Sequence, residues 1–179
     1  MRINHNFFLD LAFQIAEKNM GRTGPNPSVG SIVVKNKTVI SSGVTSINGR
    51  PHAEYNALNK IKNTAGSTLY TSLEPCIHYG KTPPCTNIII KKKIKNVFYG
   101  FEDPDIRTFK KAKKILNKKG IKTTLIKSKK YDTFYKSYFI NKKYGYPFIS
   151  AKIAISKDNY TINKKDKWIS NVFSRKVSH

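Results

Sequence analysis

The sequence predicts an α/β sandwich built on a mixed sheet. Segments with helical spacing alternate along the chain with short β-rich runs. The first two β-rich runs are close enough to pair as a hairpin. The later ones are separated by helix-length segments, the connection that parallel strands require.

Taken in order, Asn4–Met20 carries Phe7, Phe8, Leu11, Ala12 and Ile15 at helical spacing, and Gly21 suits a C-terminal stop. Gly24-Pro25-Asn26-Pro27 cannot be helix and reads as an ordered loop. Val29–Val34 and Thr38–Val44 form a hairpin across Lys35-Asn36-Lys37. A helix starts near His52 and runs through Ala57 and Leu58 to about Asn63, followed by a strand at Ser67–Ser72 and a loop at Leu73–Pro84. Cys85–Lys93 reads as helix, Val97–Gly100 as strand, Thr108–Lys119 as a lysine-rich helix ended by Gly120, and Ile121–Ile126 as strand. Tyr131–Asn141 is amphipathic through Phe134, Tyr135, Tyr138 and Phe139, and Pro147–Ile155 reads as a final strand. Beyond it lie a polar, lysine-rich segment and Trp168-Ile169-Ser170. Either this stretch opens another domain, or its strand closes the first domain and a frayed tail follows.

A chain of 179 residues is one domain, or one domain plus a fragment, and can bury a core without staples. With 39% hydrophobic and 25% charged residues it is neither disordered nor collagen-like. No apolar run approaches the roughly 18–20 residues that span a bilayer, so no membrane is expected. The N-terminus lacks a secretory pattern, and two cysteines are too few for a disulfide framework. A reduced, cytoplasmic protein is expected. The net charge of +24, from 34 Lys+Arg against 10 Asp+Glu, invites a nucleic-acid reading. Only Arg2, Arg22, Arg50, Arg107 and Arg175 are arginine, however, and arginine is the residue preferred for phosphate and base recognition. The lysines are spread over most of the chain beside many Asn, Ile and Tyr, the residues that AT-rich codons encode. Genome drift accounts for the charge, and nucleic acid is not the expected partner.

Two segments carry chemistry. Pro51-His52-Ala53-Glu54 enters a helix, and Leu73–Cys85 contains Cys76, His78, Lys81 and Cys85. One His and two Cys make a three-ligand zinc set that leaves a fourth position for water, and zinc lowers the pKa of such a water from 15.7 to about 7. Glu54, two residues past His52, can reach that water and move its proton. Cys85 at a helix start would meet unpaired backbone N–H groups that favour its thiolate. Pro75 and Pro83-Pro84 stiffen the loop presenting both cysteines. Taken singly, His52 would be a satisfied polar residue, the cysteines small buried hydrophobes, and Glu54 a first-turn carboxylate. Together they match the His-x-Glu…Pro-Cys pattern of zinc deaminases. The alternative is a structural zinc site, for which His78 is the best fourth ligand.

Eight residues separate the cysteines, where deaminases of cytidine, deoxycytidylate or tRNA adenosine commonly have two. Pro75-Cys76-Ile77-His78-Tyr79-Gly80-Lys81-Thr82-Pro83-Pro84-Cys85, with Gly24-Pro25-Asn26-Pro27 upstream, resembles the deaminase half of the RibD-type riboflavin-biosynthesis proteins. The resemblance implies a three-layer, cytidine-deaminase-like α/β/α sandwich. It also implies hydrolytic deamination of 2,5-diamino-6-(5-phosphoribosylamino)pyrimidin-4-one, with release of ammonia. Carried over, it makes His52, Cys76 and Cys85 the zinc ligands and Glu54 the proton shuttle. Asn26 then touches the pyrimidine, and His78 and Lys81 face the polar and phosphate end. Taken without the resemblance, Asn26 is a turn former, His78 a loop residue and Lys81 one more surface lysine. Thr45 stands where the family usually has His, Ile77 where it has Ser, and Asp103-Pro104-Asp105-Ile106 where it has Asp-Pro-Asn-Pro; Lys110 and Ala112 replace glycines. These departures bear on substrate binding rather than on zinc.

Residues 1–146 are the expected deaminase domain and residues 147–179 the remnant of the start of a reductase domain, too short to hold a dinucleotide. No reductase activity is expected in this chain. A separate reductase chain is one expected partner, and homo-oligomers are compatible with the fold. Two other functions stay open: a deaminase of a nucleoside or tRNA base, and a decayed, zinc-stabilised binding protein.

Overall fold

The computed structural model describes residues 3–162 and 169–178, so Trp168 of the terminal motif lies outside the described residues. The chain divides into two compact units, Met1–Tyr146 and Pro147–His179. The first unit begins with α1 (His5–Glu17), capped by Asn4, whose side-chain oxygen accepts the Phe7 N–H. This helix stops before Met20, and Gly21 turns the chain at φ +76°. Strands β1 (Gly30–Lys35) and β2 (Thr38–Val44) are joined by Asn36-Lys37, both left-handed, as a two-residue hairpin that follows the strand twist requires. Then come α2 (Ala53–Asn59), β3 (Thr68–Leu73), α3 (Cys85–Lys91), β4 (Asn96–Phe101), α4 (Ala112–Lys118), β5 (Lys122–Leu125) and α5 (Lys136–Tyr144).

The sheet order is β2-β1-β3-β4-β5. β1 runs antiparallel to β2 and β3, whereas β3, β4 and β5 are parallel. Alternation along the central strands supplies two cores. Ile32, Tyr70 and Phe98 face one cluster with Leu9 and Phe13 of α1 and with Tyr131 and Tyr135. Their neighbours Val33, Leu69 and Val97 face the other, with Leu58 of α2, Ile89 of α3 and Leu116 of α4. These are the three layers. Each fully buried aliphatic or aromatic side chain contributes about 1.5–3 kcal/mol. Phe13 stacks on Tyr131 at 3.9 Å, and Tyr135 Oη donates to the Ser28 carbonyl while meeting Ser72 Oγ at 2.7 Å. The amphipathic segment before α5 is thereby fastened over β1 and β3.

The helix carrying the first site residues lies directly on the hairpin. A Cβ at Gly43 would sit 2.4 Å from both the Ala53 carbonyl oxygen and the Ala57 nitrogen. Gly43→Ala is expected to cost about 1–3 kcal/mol in urea unfolding through overpacking, and to weaken zinc binding because His52 moves with α2. An unchanged midpoint would show that α2 does not rest on β2 this closely.

In two places the structure departs from expectation. The helix expected over Thr108–Lys119 is helical only from Ala112, for a reason that emerges at the site. The strand expected over Pro147–Ile155 does not form, and Ile149 and Ile153 are 82% and 71% exposed. A strand needs a neighbour to complete its hydrogen-bond ladder, and the unit Pro147–His179 holds none among the described residues. That unit contains a turn at Ser156–Tyr160 and α6 (Val172–Ser178). No helix among the described residues is long and apolar enough to cross a membrane.

Candidate active site

Three connections at one end of the sheet bring the chemistry together. His52 is the N-cap residue of α2, Cys76 follows β3 by three residues, and Cys85 opens α3. His52 Nδ1 lies 3.5 Å from Cys76 Sγ and 3.3 Å from Cys85 Sγ, and all three donor atoms lie within 4.8 Å of one another. Pro84, which lacks an N–H, caps α3, and the first helical N–H groups turn back on the loop: Cys85 N–H to Cys76 Sγ at 3.2 Å and Thr86 N–H to the Cys76 carbonyl at 3.2 Å.

This reverses one expectation. The helix-start amide favours the thiolate of Cys76, not that of Cys85. The hydrogen bond from the Cys85 thiol is the largest influence pulling the Cys76 thiol below its ordinary value, and His52 and the Cys85 amide add to it. Cys85 is pushed up by the same shared hydrogen bond and by complete burial. His52 is raised, mainly by its bond to Cys76.

The donor set fits zinc: two soft sulfurs and an imidazole nitrogen converging on one point. His78, the candidate for closing the set, is turned away, its Nδ1 3.1 Å from Thr108 Oγ1. Glu54 does not belong to the converging group, and its Oε2 accepts from the Cys85 thiol at 3.4 Å. Burial raises the Glu54 carboxyl to about 7, with the Cys76 charge adding to the effect. Cys85→Ser is expected to lower zinc affinity by more than the roughly 10–100-fold that loss of an outer partner costs, and chelation should lower the thermal midpoint of the wild type. Both are read by metal analysis and a thermal scan. Full zinc occupancy in Cys85→Ser would remove Cys85 from the set.

A polar cavity adjoins this cluster. Asn26, Glu54, His78 and Gly80 line it, whereas Lys81 is exposed and not among the lining residues. Asn26 Nδ2 donates to the Gly49 carbonyl at 3.0 Å, which fixes the amide's orientation. Thr45 also lines the cavity, but its hydroxyl is engaged by the Val29 N–H at 3.0 Å.

Several residues here were not proposed as site residues from the sequence, although Asp105 stood out there as a departure from the family's pattern. Arg50 Nη1 donates to Thr82 Oγ1 at 2.6 Å and pins the loop between the cysteines. Buried Glu74 accepts three backbone N–H groups: Asp103 and Lys110 on Oε2, Ala112 on Oε1. Those amides are spent on a carboxylate, and Lys110 is left-handed, so the helix starts only at Ala112. Asp105, Arg107, Tyr138 and Lys142 complete the wall. Asp105 and Arg107 pair locally, two residues apart, but the partners of Arg50, Glu74, Tyr138 and Lys142 lie far away in the chain, so no local pattern marks those four.

Residues 2–101 match the family model of the cytidine and deoxycytidylate deaminase zinc-binding region. The chain belongs to this zinc-deaminase family. Within it the chain falls in the riboflavin-biosynthesis branch. It is 36% identical over 174 residues to the riboflavin biosynthesis protein RibD of Bacillus amyloliquefaciens, covering 94% of this chain and 47% of that protein. It is 39% identical over 143 residues to the diaminohydroxyphosphoribosylamino-pyrimidine deaminase of Buchnera aphidicola subsp. Schizaphis graminum, covering 79% of this chain and 97% of that one. Among solved structures, RibD of Acinetobacter baumannii superposes with a TM-score of 0.86 at 30% identity, covering 97% of this chain and 50% of that one. The chain thus spans about half the length of the RibD relatives it matches.

Proposed function

We propose that this chain hydrolyses the 2-amino group of 2,5-diamino-6-(5-phosphoribosylamino)pyrimidin-4-one in riboflavin biosynthesis. Water supplies the new oxygen and ammonia leaves. The observation that supports this reading most is the juxtaposition of a three-donor zinc set with a buried carboxyl, Glu54, at the floor of a polar cavity.

Zinc bound by His52, Cys76 and Cys85 would supply Lewis-acid activation of water at neutral pH. Glu54 is the proton carrier. Its pKa near 7 suits a group that must accept a proton from the attacking water and return it to the departing amine. Burial of Glu54 excludes bulk water as a competing acceptor. Asn26, with Nδ2 committed to Gly49, keeps Oδ1 as an acceptor for a pyrimidine N–H. His78, held by Thr108, faces the polar side of the substrate, and Lys81 lies at the exposed edge of the same loop. In this reading residues 1–146 form the deaminase domain and residues 147–179 correspond to the start of a reductase-type domain. The enzyme is cytoplasmic and passes its product to a reductase.

The test is ammonia release from the phosphoribosyl-diaminopyrimidine, from cytidine and from an RNA hairpin, with zinc measured on the same sample. Turnover of the first substrate alone is expected. Turnover of the hairpin would favour the nucleic-acid reading that the +24 charge invites. Bound zinc with no turnover of any of the three would leave a binding protein.

A further inference from the structure

A phosphorylated substrate needs cations in the cavity, but away from the metal, because the reacting carbon and the phosphate lie at opposite ends of the molecule. Three Lys and Arg side chains line the cavity among the described residues: Arg50, Arg107 and Lys142. Arg50 donates to Thr82 through Nη1, which also lies 3.3 Å from His52 Nε2, so this guanidinium sits on the metal side. Arg107 and Lys142 converge instead on Asp105. Arg107 Nε and Nη2 grip its two oxygens at 2.8 and 2.5 Å, and Lys142 Nζ lies 3.4 Å away.

We propose that Arg107 and Lys142, held together by Asp105, form the seat for the substrate's phosphate and set the preference for a phosphorylated pyrimidine. The inference rests on the proposed reaction and adds the recognition of its anionic end. Arg107 and Lys142 meet at Asp105, with the carboxyl of Asp103 beside them in the same cavity, and Arg107 retains the N–H groups of Nη1 for an anion. The arginine side chain is 55% exposed while Asp105 is 9% exposed, so an arriving phosphate meets the guanidinium before the carboxylate. Asp105 also positions the arginine, accepting the Arg107 backbone N–H at 3.0 Å. The seat adjoins the loop between the cysteines, since Thr108, next after Arg107, contacts His78. This places the phosphate on the turn after β4 and on α5, not on Lys81.

The test compares kcat/KM for the phosphoribosyl substrate with that for its ribosyl analogue, in wild type, Arg107→Ala, Lys142→Ala, Arg107→Lys and Lys81→Ala, with zinc content as the folding control. The ratio is expected to fall about tenfold for each cation lost, through KM, and to be largely retained in Arg107→Lys. A fall in Lys81→Ala with none in Arg107→Ala and Lys142→Ala overturns the seat. So does a ratio lost equally in Arg107→Lys, which would make the Asp105 pair a brace for the fold. Ribose 5-phosphate binding to the zinc-loaded protein is measured alongside by calorimetry. If the wild type turns over none of the pyrimidine, the proposed reaction fails, and the calorimetry still decides the seat. Binding abolished in the double variant supports it; binding that survives there, or is missing in the wild type, overturns it.

Discussion

Glu54→Gln is expected to lower kcat by a factor of about 10²–10⁴ while leaving zinc bound. Glutamine keeps the volume and an oxygen beside Cys85 Sγ, where Glu54 Oε2 now accepts at 3.4 Å. It cannot accept a proton from water and return it to an amine. Glu54 stands outside the converging donor group, so its loss removes the proton carrier and not a ligand. Cys85→Ser should do the opposite, with zinc and activity lost together. The contrast is read by steady-state kinetics and metal analysis on the same preparations. Glu54→Gln with wild-type turnover would assign proton transfer to another group; zinc lost from it would make Glu54 part of the metal site.

Glu74→Ala is expected to be the most damaging single change to stability outside the cores, at about 3–5 kcal/mol. It strips a charged acceptor from the backbone N–H groups of Asp103, Lys110 and Ala112. Alanine offers no replacement acceptor at a site 2% exposed. Burial raises the pKa of this carboxyl, while the three amides pull it back toward the ionised form. Glu74→Gln keeps one acceptor oxygen and should cost less, about 1.5–3 kcal/mol. Both are measured by urea unfolding of the zinc-loaded protein, with an unchanged slope as the check that only stability moved. A loss under about 1 kcal/mol in Glu74→Ala would show that the turn after β4 holds itself. Because that turn carries Asp105 and Arg107, the variant should also lose part of any discrimination the cavity makes.

The contrast between these two residues shows where sequence reasoning stops. Glu54 was visible as a candidate because its partners are close in the chain or belong to one recognisable donor set. Glu74 stands two residues before Cys76, in the same short segment, and nothing near it announces a hub, since its amides lie 29 to 38 residues downstream. The same distance explains the overlong helix expected at Thr108–Lys119: periodicity is local, but the amides of Lys110 and Ala112 are claimed by the Glu74 carboxylate just past β3. The thiol expectation failed for a similar reason. Placing Cys85 at a helix start is a local inference and holds, yet which sulfur receives the amide depends on how the loop folds back, and it is Cys76.

Periodicity, turn chemistry and donor types were enough to specify the hairpin that pairs Thr38–Val44 with the strand before it, the alternation of helices and strands, and the set His52, Cys76 and Cys85, because each depends on neighbours within a turn or a strand, or on residue chemistry alone. Packing alone decided that Asp105 draws Lys142 from α5, that Glu74 supports the wall beside them, and that Pro147–Ile155 forms no strand among the described residues. Hydrogen bonds and ion pairs form only when both groups reach the same few ångströms. For groups tens of residues apart, that meeting is a property of the folded chain.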